Sequence, residues 1–379
     1  EPEKTLDEVL DEHPVSIQVN GEWQTFPNVK AAEEASYEEY KANLRRTAEN
    51  FRITDDHLGE GGPKAKFQAN VEAIKLLKYL EETTEQATPE QQKILSRYVG
   101  WGGLADAFDP DKESWSKEYA QLKELLTPEE YAAARGSTLN AHYTSPTVIK
   151  AIYEAVGRMG FETGNILEPS CGVGNFFGML PEEMRNSRLY GVELDSISGR
   201  IAQQLYPKAD ITVAGFETTD RRDFYDLAVG NVPFGQYQVR DKAYDKLNFS
   251  IHNYFFAKAL DQVRPGGVVA FVTSRYTMDA KDSTVRRYLA QRAELLGAIR
   301  LPNDAFKKNA GAEVVSDIIF LQKRDRPLDI VPEWTQTGQT EDGFAINRYF
   351  LDHPEMVLGR QEPESTAHGM DYTVNPIEG

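Results

Sequence analysis

The sequence has one cysteine, no long apolar run and fewer basic than acidic residues. Cys171 is the single cysteine among 379 residues, so no internal disulfide can form, and a reducing cytoplasm is the expected compartment. No apolar run approaches the roughly 20 residues of a membrane helix, and the first residues show no signal-peptide pattern, so we expect neither membrane insertion nor export. The formal net charge of −18 means that any contact with nucleic acid must be local.

Basic residues concentrate in three places, namely Lys242 with Lys246, the segment 275–287, and Lys307 with Lys308. Each cluster is compatible with a local nucleic-acid contact and equally with a solvated loop. The hydrophobic content of 40% is sufficient for a packed core. A chain of this length forms either one large domain with an extension or two domains.

The first part of the chain contains hairpin and helix signals. Val15–Val19 and Glu22–Phe26 flank Asn20-Gly21, which predicts a hairpin within a small acidic accessory segment, residues 1–60. Residues 61–140 carry a helical apolar period over 66–80 and Thr-Pro-Glu helix starts at Thr88 and Thr127, the first of which predicts a helix up to Gly100. We therefore expect a helical accessory region in which the Gly-Trp-Gly-Gly bend at 100–103 serves packing.

From residue 141 the pattern changes to alternating strands and helices. The predicted strands cover 165–167, 189–193, 210–214, 224–229, 268–273, 295–301 and 317–323. Helices are predicted between them at 146–157, 196–206, 253–263 and 283–291. This alternation predicts an α/β, Rossmann-like domain over 141–326 whose ligands lie beyond the carboxyl ends of the strands. Residues 327–379 are expected to form a C-terminal extension that packs back on this core.

Two stretches after predicted strands must meet in space. Residues 166–176 read Ile-Leu-Glu-Pro-Ser-Cys-Gly-Val-Gly-Asn-Phe, and residues 228–235 read Ala-Val-Gly-Asn-Val-Pro-Phe-Gly. The first has glycines that let the backbone approach a nucleoside without interference from Cβ, and Glu193 closes the next strand where it can accept hydrogen bonds from ribose. A lone Gly-x-Gly also fits a nicotinamide enzyme, and Glu193 could be a solvated strand end. Phe177 stands where dinucleotide folds have a third glycine.

These residues resemble a known family. Residues 168–176 are similar to the S-adenosylmethionine motif, and residues 231–234 to the Asn-Pro-Pro-Phe/Tyr motif, of amino-group DNA methyltransferases that modify adenine at N6. Upstream, His-Tyr-Thr-Ser-Pro at 142–146 resembles the Tyr/Phe-Thr-Pro motif of the gamma-ordered members. With 100–103 and 137–144 included, the chain is similar to the methyltransferase portion of large helicase-methyltransferase fusions of mobile elements and phages. The resemblance implies a longer parent with further domains such as a helicase, in agreement with the missing initiator methionine.

The resemblance also implies site residues and a reaction. Asn231, Pro233 and Phe234 would be catalytic, with no metal, and Phe234 and Phe306 would stack on a flipped base, although Phe306 also fits a core aromatic. Phe216 would lie against the adenine of the cofactor, with Glu217 nearby. The full set implied for S-adenosylmethionine is Tyr143, Thr144, Glu168, Pro169, Cys171, Gly172, Gly174, Phe176, Glu193, Phe216, Glu217 and Asn231. Gly174 would leave room for the cofactor, and Cys171 would be a small loop residue and not a nucleophile.

The chemistry of a purine amine fits this site. Such an amine is a poor nucleophile, so acceptors must draw on its hydrogens as the nitrogen rehybridises, and the Asn231 side chain and the Val232 carbonyl supply them. Val232 replaces the first proline of the motif but keeps the carbonyl. We therefore expect an adenine-N6 DNA methyltransferase whose isolated chain binds DNA weakly. Methylation of RNA or of a protein glutamine, and a non-catalytic cofactor- or DNA-binding module of a larger helicase or anti-restriction protein, are the alternatives.

Overall fold

The computed structural model describes residues 5–139, 143–306 and 314–378. At the N-terminus, helix α1 (Leu6–Asp11) precedes the predicted hairpin of β1 (Val15–Val19) and β2 (Glu22–Phe26), and α2 (Val29–Thr47) follows it. Asn20 and Gly21 both have positive φ, as a two-residue hairpin turn requires. Among the described residues, we find no helix with the length and apolar character needed to cross a membrane.

The helical region contains α3 (Pro63–Thr83), α4 (Pro89–Leu95), α5 (Ser116–Leu125) and α6 (Pro128–Ser137). Helices α4 and α6 start after Thr88 and Thr127, as the sequence predicted, and both threonines form capping boxes. The expectation that α4 reaches Gly100 is wrong, because the helix ends at Leu95. Beyond Leu95, the buried Asn70 side chain hydrogen-bonds the backbone of Val99 and Gly100, which holds this segment as a loop.

Seven strands form the central sheet, which confirms the predicted fold class. They are β3 (Asn165–Glu168), β4 (Arg188–Glu193), β5 (Asp210–Val213), β6 (Tyr225–Asn231), β7 (Val263–Ser274), β8 (Ala293–Arg300) and β9 (Ser316–Lys323). Their order is β5-β4-β3-β6-β7-β9-β8, and β9 runs antiparallel to both of its neighbours. The chain moves outward from β3 to β5 and returns to β6, so a ligand crevice is expected between the carboxyl ends of β3 and β6.

Helices cover both faces of the sheet and also join it to the helical region. They are α7 (Pro146–Arg158), α8 (Asn175–Gly178), α9 (Ser196–Leu205), α10 (Ile251–Gln262), α11 (Tyr276–Asp279) and α12 (Thr284–Arg292). Phe67 and Ile74 of α3 belong to the same hydrophobic cluster as Ile166 of β3. Arg200 on α9 pairs with Glu81 of α3 at 2.7 Å. The helical region is therefore packed directly on the sheet domain.

The C-terminal part folds into two short hairpins and a helix. They comprise β10 (Thr337–Gln339), β11 (Ala345–Asn347), α13 (Arg348–Asp352), β12 (Arg360–Thr366) and β13 (Gly369–Asn375). Phe350 and Val374 are fully buried, and the Asn303 amide donates to the Val374 carbonyl at 2.8 Å. Residues 327–378 thus pack on the sheet domain, as the sequence predicted.

Candidate functional site

A cleft of about 280 Å³ lies at the carboxyl ends of β3 and β6. The glycine loop after β3 and Asn231 at the end of β6 both line it. The predicted site residues that line it are Tyr143, Thr144, Glu168, Cys171, Gly172, Phe176, Glu193, Asn231 and Pro233. The two stretches that the sequence predicted to meet therefore share one cleft. His142 of the upstream motif lies outside the described residues.

The glycine loop is fixed by its own backbone and by the neighbouring strand. The Cys171 amide donates to the Val192 carbonyl at 3.0 Å, and the Gly174 amide donates to the Cys171 carbonyl at 2.8 Å. Burial raises the pKa of the Cys171 thiol well above its usual range, and the nearby Glu168 carboxyl adds to this effect. A thiol kept protonated is a poor nucleophile. The loop therefore holds a shape, and the thiol of Cys171 has a packing role.

The two glycines of the loop serve different purposes, which corrects the expectation for Gly174. A Cβ at Gly174, where φ is +86°, would lie 2.6 Å from the ring of Tyr206 and not in the cleft. A Cβ at Gly172, where φ is +56°, would meet no atom within 4 Å. Gly174 is thus required because the Tyr206 ring, directly after α9, packs against it, whereas Gly172 faces the cleft.

This difference predicts that alanine at Gly174 mainly lowers stability, whereas alanine at Gly172 mainly weakens cofactor binding. Gly174→Ala should lower the unfolding midpoint strongly, because the added Cβ overlaps a fully buried ring in a backbone conformation that costs about 1–2 kcal/mol for a non-glycine residue. Gly172→Ala should cost only that conformational term and should mainly weaken cofactor binding. Thermal unfolding and titration calorimetry on both variants separate the two effects. Equal loss of stability in both would contradict the assignment.

Two glutamate carboxyls lie in the cleft, and both have raised pKa values. Glu193 accepts hydrogen bonds from the amides of Gly172 and Asp195, both at 2.8 Å. Burial raises its pKa to about 7, although those two amides favour the ionised form. Burial, with the nearby Glu193 carboxyl, raises the pKa of Glu168 well above its usual value. Both carboxyls therefore lie where a positively charged ligand that donates hydrogen bonds would be favoured.

The raised pKa of Glu193 predicts a pH-dependent affinity for the cofactor. Below pH 7 the carboxyl is largely protonated, and above pH 7 it is ionised and accepts hydrogen bonds from ribose more strongly. Affinity should therefore rise about tenfold from pH 6 to pH 8, with proton release near neutrality, as measured by calorimetry in buffers of different ionisation heat. Glu193→Gln should weaken binding and reduce this slope, leaving the contribution of Glu168. Glu217→Gln, the same change outside the cleft lining, is the matched control, and an unchanged slope in Glu193→Gln would remove Glu193 from the site.

Asn231 is held by Thr144, so the upstream motif and the β6 motif are in direct contact. The Asn231 Nδ2 donates to the Thr144 Oγ1 at 3.1 Å. The Asn231 Oδ1 is buried and has no hydrogen-bond partner among the described residues. Val232 is buried, and its amide donates to the Val272 carbonyl at 3.1 Å, a bond that the proline of the family motif could not make. The contact with Thr144 thus orients the Asn231 amide and leaves its Oδ1 available to accept a hydrogen bond from a ligand.

Several predicted site residues do not line the cleft. Phe216 is 3% exposed and packs on Phe255 with ring centroids 4.9 Å apart, so the structure does not bring it to the cleft, and Glu217 beside it is also outside the lining. Phe306 is 2% exposed within the hydrophobic core, which fits the core-aromatic interpretation. Phe234 is half-buried directly after Pro233 and packs against both core clusters. Pro169 is buried behind the loop.

The basic segment 275–287 is partly a structural feature. Arg275 is buried and pairs with Asp279 at 3.0 Å, and Arg286 is buried and donates to backbone carbonyls, among them that of Thr335 at 3.0 Å. Buried guanidinium groups cannot contact phosphate, so these two arginines are not available to nucleic acid. Arg287 remains exposed. Lys307 and Lys308 lie outside the described residues.

The helical region contributes cleft residues that the sequence did not point to. The cleft is also lined by five residues of the helical region and two at the start of α9, namely Tyr98, Val99, Gly100, Trp101 and Ser137, with Asp195 and Ser198. The sequence signal is the Gly-Trp-Gly-Gly bend, for which the sequence predicts a packing role. Trp101 does pack, edge-on against Phe108 with centroids 5.5 Å apart, and it also lines the cleft.

The cleft fits S-adenosylmethionine. Glu168 Oε2 and Asn231 Oδ1 are buried acceptors without a hydrogen-bond partner among the described residues, and such groups are costly unless a ligand satisfies them. The cofactor carries a sulfonium and an ammonium group, which suit the Glu168 carboxyl, and ribose hydroxyls, which suit the Glu193 carboxyl. The fold and this cleft define a methyltransferase that uses S-adenosylmethionine.

Comparison with known proteins gives the family. The family model for N-6 DNA Methylase matches residues 124–336. The chain therefore belongs to the N-6 DNA methylase family.

Two curated relatives and two solved structures are similar to the chain. Defense against restriction protein B of Escherichia phage P1 is 29% identical over 272 residues, which cover 70% of this chain and 10% of that protein. Type II methyltransferase M.CvrRI of Paramecium bursaria Chlorella virus XZ-6E is 37% identical over 92 residues, or 24% of each protein. The chain thus spans from about a tenth to a quarter of these relatives.

The solved structures are more distant. A chain assigned as a modification subunit of a type I restriction enzyme from Vibrio vulnificus YJ016 has a TM-score of 0.41 and 13% identity, covering 91% of this chain and 96% of that one. A chain from a type I R-M system has a TM-score of 0.40 and 18% identity, covering 78% of this chain and 67% of that one.

Proposed function

We propose that this chain methylates the N6 amine of adenine in DNA. The observation that carries the proposal is the Asn231 amide, whose Nδ2 is held by Thr144 while its buried Oδ1 has no partner among the described residues. An oriented, unused acceptor is what a planar amine needs when its nitrogen rehybridises. Membership of the N-6 DNA methylase family supports the same substrate.

In the proposed reaction, the protein acts through position and hydrogen bonding. Asn231 Oδ1 and the Val232 carbonyl accept the two hydrogens of the amine, which directs its lone pair at the methyl group. When bound, the cofactor supplies an electrophilic methyl on a sulfonium, which becomes a neutral thioether after transfer. The methylated nitrogen then loses one proton to water, so no metal or initial base is needed.

Base extrusion is part of the proposal. The cleft lies in a crevice at the sheet edge, so an adenine within a duplex must leave its stack to reach Asn231. Phe234, half-buried three residues after Asn231, is the aromatic proposed to stack on the extruded base. Phe306 is left out, because it is buried in the core.

The partners proposed are DNA and further domains of a longer protein. The relative in phage P1 is named for defence against restriction, and the chain aligns with 10% of it. A methyltransferase portion within such a protein would take its access to DNA from neighbouring domains. This would agree with a net charge of −18 and the weak DNA binding expected of the isolated chain.

A transfer assay tests the proposed function. The chain is incubated with tritium-labelled S-adenosylmethionine and plasmid DNA, single-stranded DNA, RNA or protein extract, and the labelled products are digested and identified. The expected result is N6-methyladenine in DNA, absent with the Asn231→Ala variant. Label found in RNA or in protein glutamine would show that this molecule, and not DNA, is the substrate. Cofactor binding without transfer to any of the four would favour the non-catalytic module.

The proposed role of Phe234 predicts a substrate-dependent defect. Phe234→Ala should lower kcat/KM on duplex DNA about tenfold or more, since base–aromatic stacking contributes about 1–3 kcal/mol per base. The defect should be smaller on single-stranded or mismatched DNA, where extrusion costs less. Phe234→Tyr keeps an aromatic face and is the matched control. The same loss on all three substrates would argue against stacking on an extruded base.

A further inference from the structure

The loop of residues 98–101 follows α4, includes the first two residues of the Gly-Trp-Gly-Gly bend and lines the same cleft as the glycine loop. Val99 and Gly100 are half-buried and line the cleft, and a Cβ built on Gly100 would meet no atom within 4 Å. The 98–101 loop is therefore a part of the helical region that lines the cleft.

Residues of α3 hold the 98–101 loop in place. Asn70 on α3 is fully buried, and its side chain accepts from the Val99 amide at 2.9 Å and donates to the Gly100 carbonyl at 2.6 Å. Trp101 packs edge-on against Phe67 with centroids 6.2 Å apart. A buried amide that satisfies two successive peptide groups fixes the loop before any ligand binds.

Contacts of Tyr98 show which end of the cleft the loop covers. Tyr98 lines the cleft together with Asp195 and Ser198 at the start of α9, where the Ser198 hydroxyl donates to Asp195 at 2.7 Å. Burial raises the pKa of Tyr98, and the nearby Asp195 carboxylate adds to this effect. Asp195 lies two residues after Glu193, the carboxyl at the strand end where ribose hydroxyls are bound in such sheets. The Thr144–Asn231 contact joins the upstream motif to the end of β6 and involves no residue of α9. The 98–101 loop thus covers the Glu193 end.

We propose that the 98–101 loop is the outer wall of the subsite for the nucleoside part of the cofactor, with Val99 in contact with that nucleoside. This inference rests on the proposed use of S-adenosylmethionine. The apolar Val99 would cover hydrogen bonds between ribose and Glu193 and exclude water from them, and Asn70 acts as a positioning residue for Val99. The helical region is therefore a part of the cofactor site and not merely an accessory.

Substitution of Val99 tests this role. Val99→Trp should bind S-adenosylhomocysteine at least about tenfold more weakly, because a rigid loop cannot retreat from a larger side chain. The same loss should appear with 5′-methylthioadenosine, which has the nucleoside but lacks the amino-acid part. Ile94→Trp, on the exposed side of α4 and outside the lining, should bind both ligands like the wild type. Titration calorimetry gives all four comparisons.

The outcomes separate this inference from the proposed function. Wild-type protein that binds neither ligand would overturn the cofactor assignment itself. If the wild type binds both ligands and Val99→Trp binds them equally well, the proposed role of the 98–101 loop is wrong but the cofactor assignment stands. If Val99→Trp loses affinity for S-adenosylhomocysteine only, the loop contacts the amino-acid part of the cofactor and not its nucleoside. Thermal unfolding checks that the variants fold. If Val99→Trp does not fold, Val99→Gln, which is longer but flexible, should still reduce ligand-induced stabilisation, and full stabilisation there would reject the proposal.

Discussion

Asn231→Ala is expected to reduce methyl transfer by at least about 100-fold, the size of loss seen when one preorganised transition-state acceptor or donor is removed. The variant deletes the Oδ1 that has no partner among the described residues, so the amine loses the acceptor whose hydrogen bond strengthens as charge develops. Folding should survive, because the variant loses only one side-chain hydrogen bond, to Thr144, worth about 0.5–1.5 kcal/mol, and an oxygen that has no partner among the described residues. The measurement is single-turnover transfer from labelled cofactor, with cofactor affinity determined by calorimetry.

Thr144→Val provides a graded control for this result. It removes the hydroxyl that holds Asn231 Nδ2 at 3.1 Å but leaves the Oδ1 in place. Its transfer rate should fall less than that of Asn231→Ala, because orientation is loosened while the acceptor remains. Wild-type turnover by Asn231→Ala on a substrate that the parent chain methylates would make the catalytic assignment wrong.

Arg300→Met is expected to cause the largest loss of stability, about 3–5 kcal/mol. Arg300 is fully buried and meets Asp317 through two contacts of 2.8 Å, and its other terminal nitrogen lies 2.8 Å from Asp279. Methionine fills similar space but leaves Asp317 as a buried carboxylate without its partner. The same group packs over the ring of Phe350, so the C-terminal part should loosen as well. Denaturant unfolding measures the change in free energy.

Two further variants and one pH series test this ion pair. Arg158→Met removes an exposed pair with Glu154 and should change stability by less than about 0.5 kcal/mol. The double variant Arg300→Met/Asp317→Leu should recover much of the loss, because the unpaired Asp317 carboxylate is gone and Asp279 keeps its pair with Arg275 at 3.0 Å. Burial already raises the pKa of Asp317, and loss of Arg300 should raise it further. The folded variant then binds an extra proton, so its deficit should shrink as pH falls. A deficit independent of pH would mean that cavity formation, and not the buried charge, causes the loss.

The sequence determined the elements and the edge at which the site lies. Alternating apolar segments and helix starts such as Thr127-Pro128 are local signals, and local signals set the strands and helices. Because parallel strands all end at the same edge, the glycine loop and Asn231 could be predicted to share one cleft without knowledge of any contact. The hairpin at Asn20-Gly21 was predictable for the same reason, since its turn conformation depends on two adjacent residues.

Tertiary structure decided which side chains reach the cleft. Phe216 and Phe306 are buried, Gly174 makes room for Tyr206, and Val232 donates a hydrogen bond that proline could not donate. The 98–101 loop joins the site because a buried asparagine 29 positions before Val99 holds it there. Each of these outcomes depends on contacts between residues far apart in the chain. The strand pattern in the sequence predicts where each strand ends. The direction of a side chain beyond that end depends on the residues that pack against it, and these are known only from the folded structure.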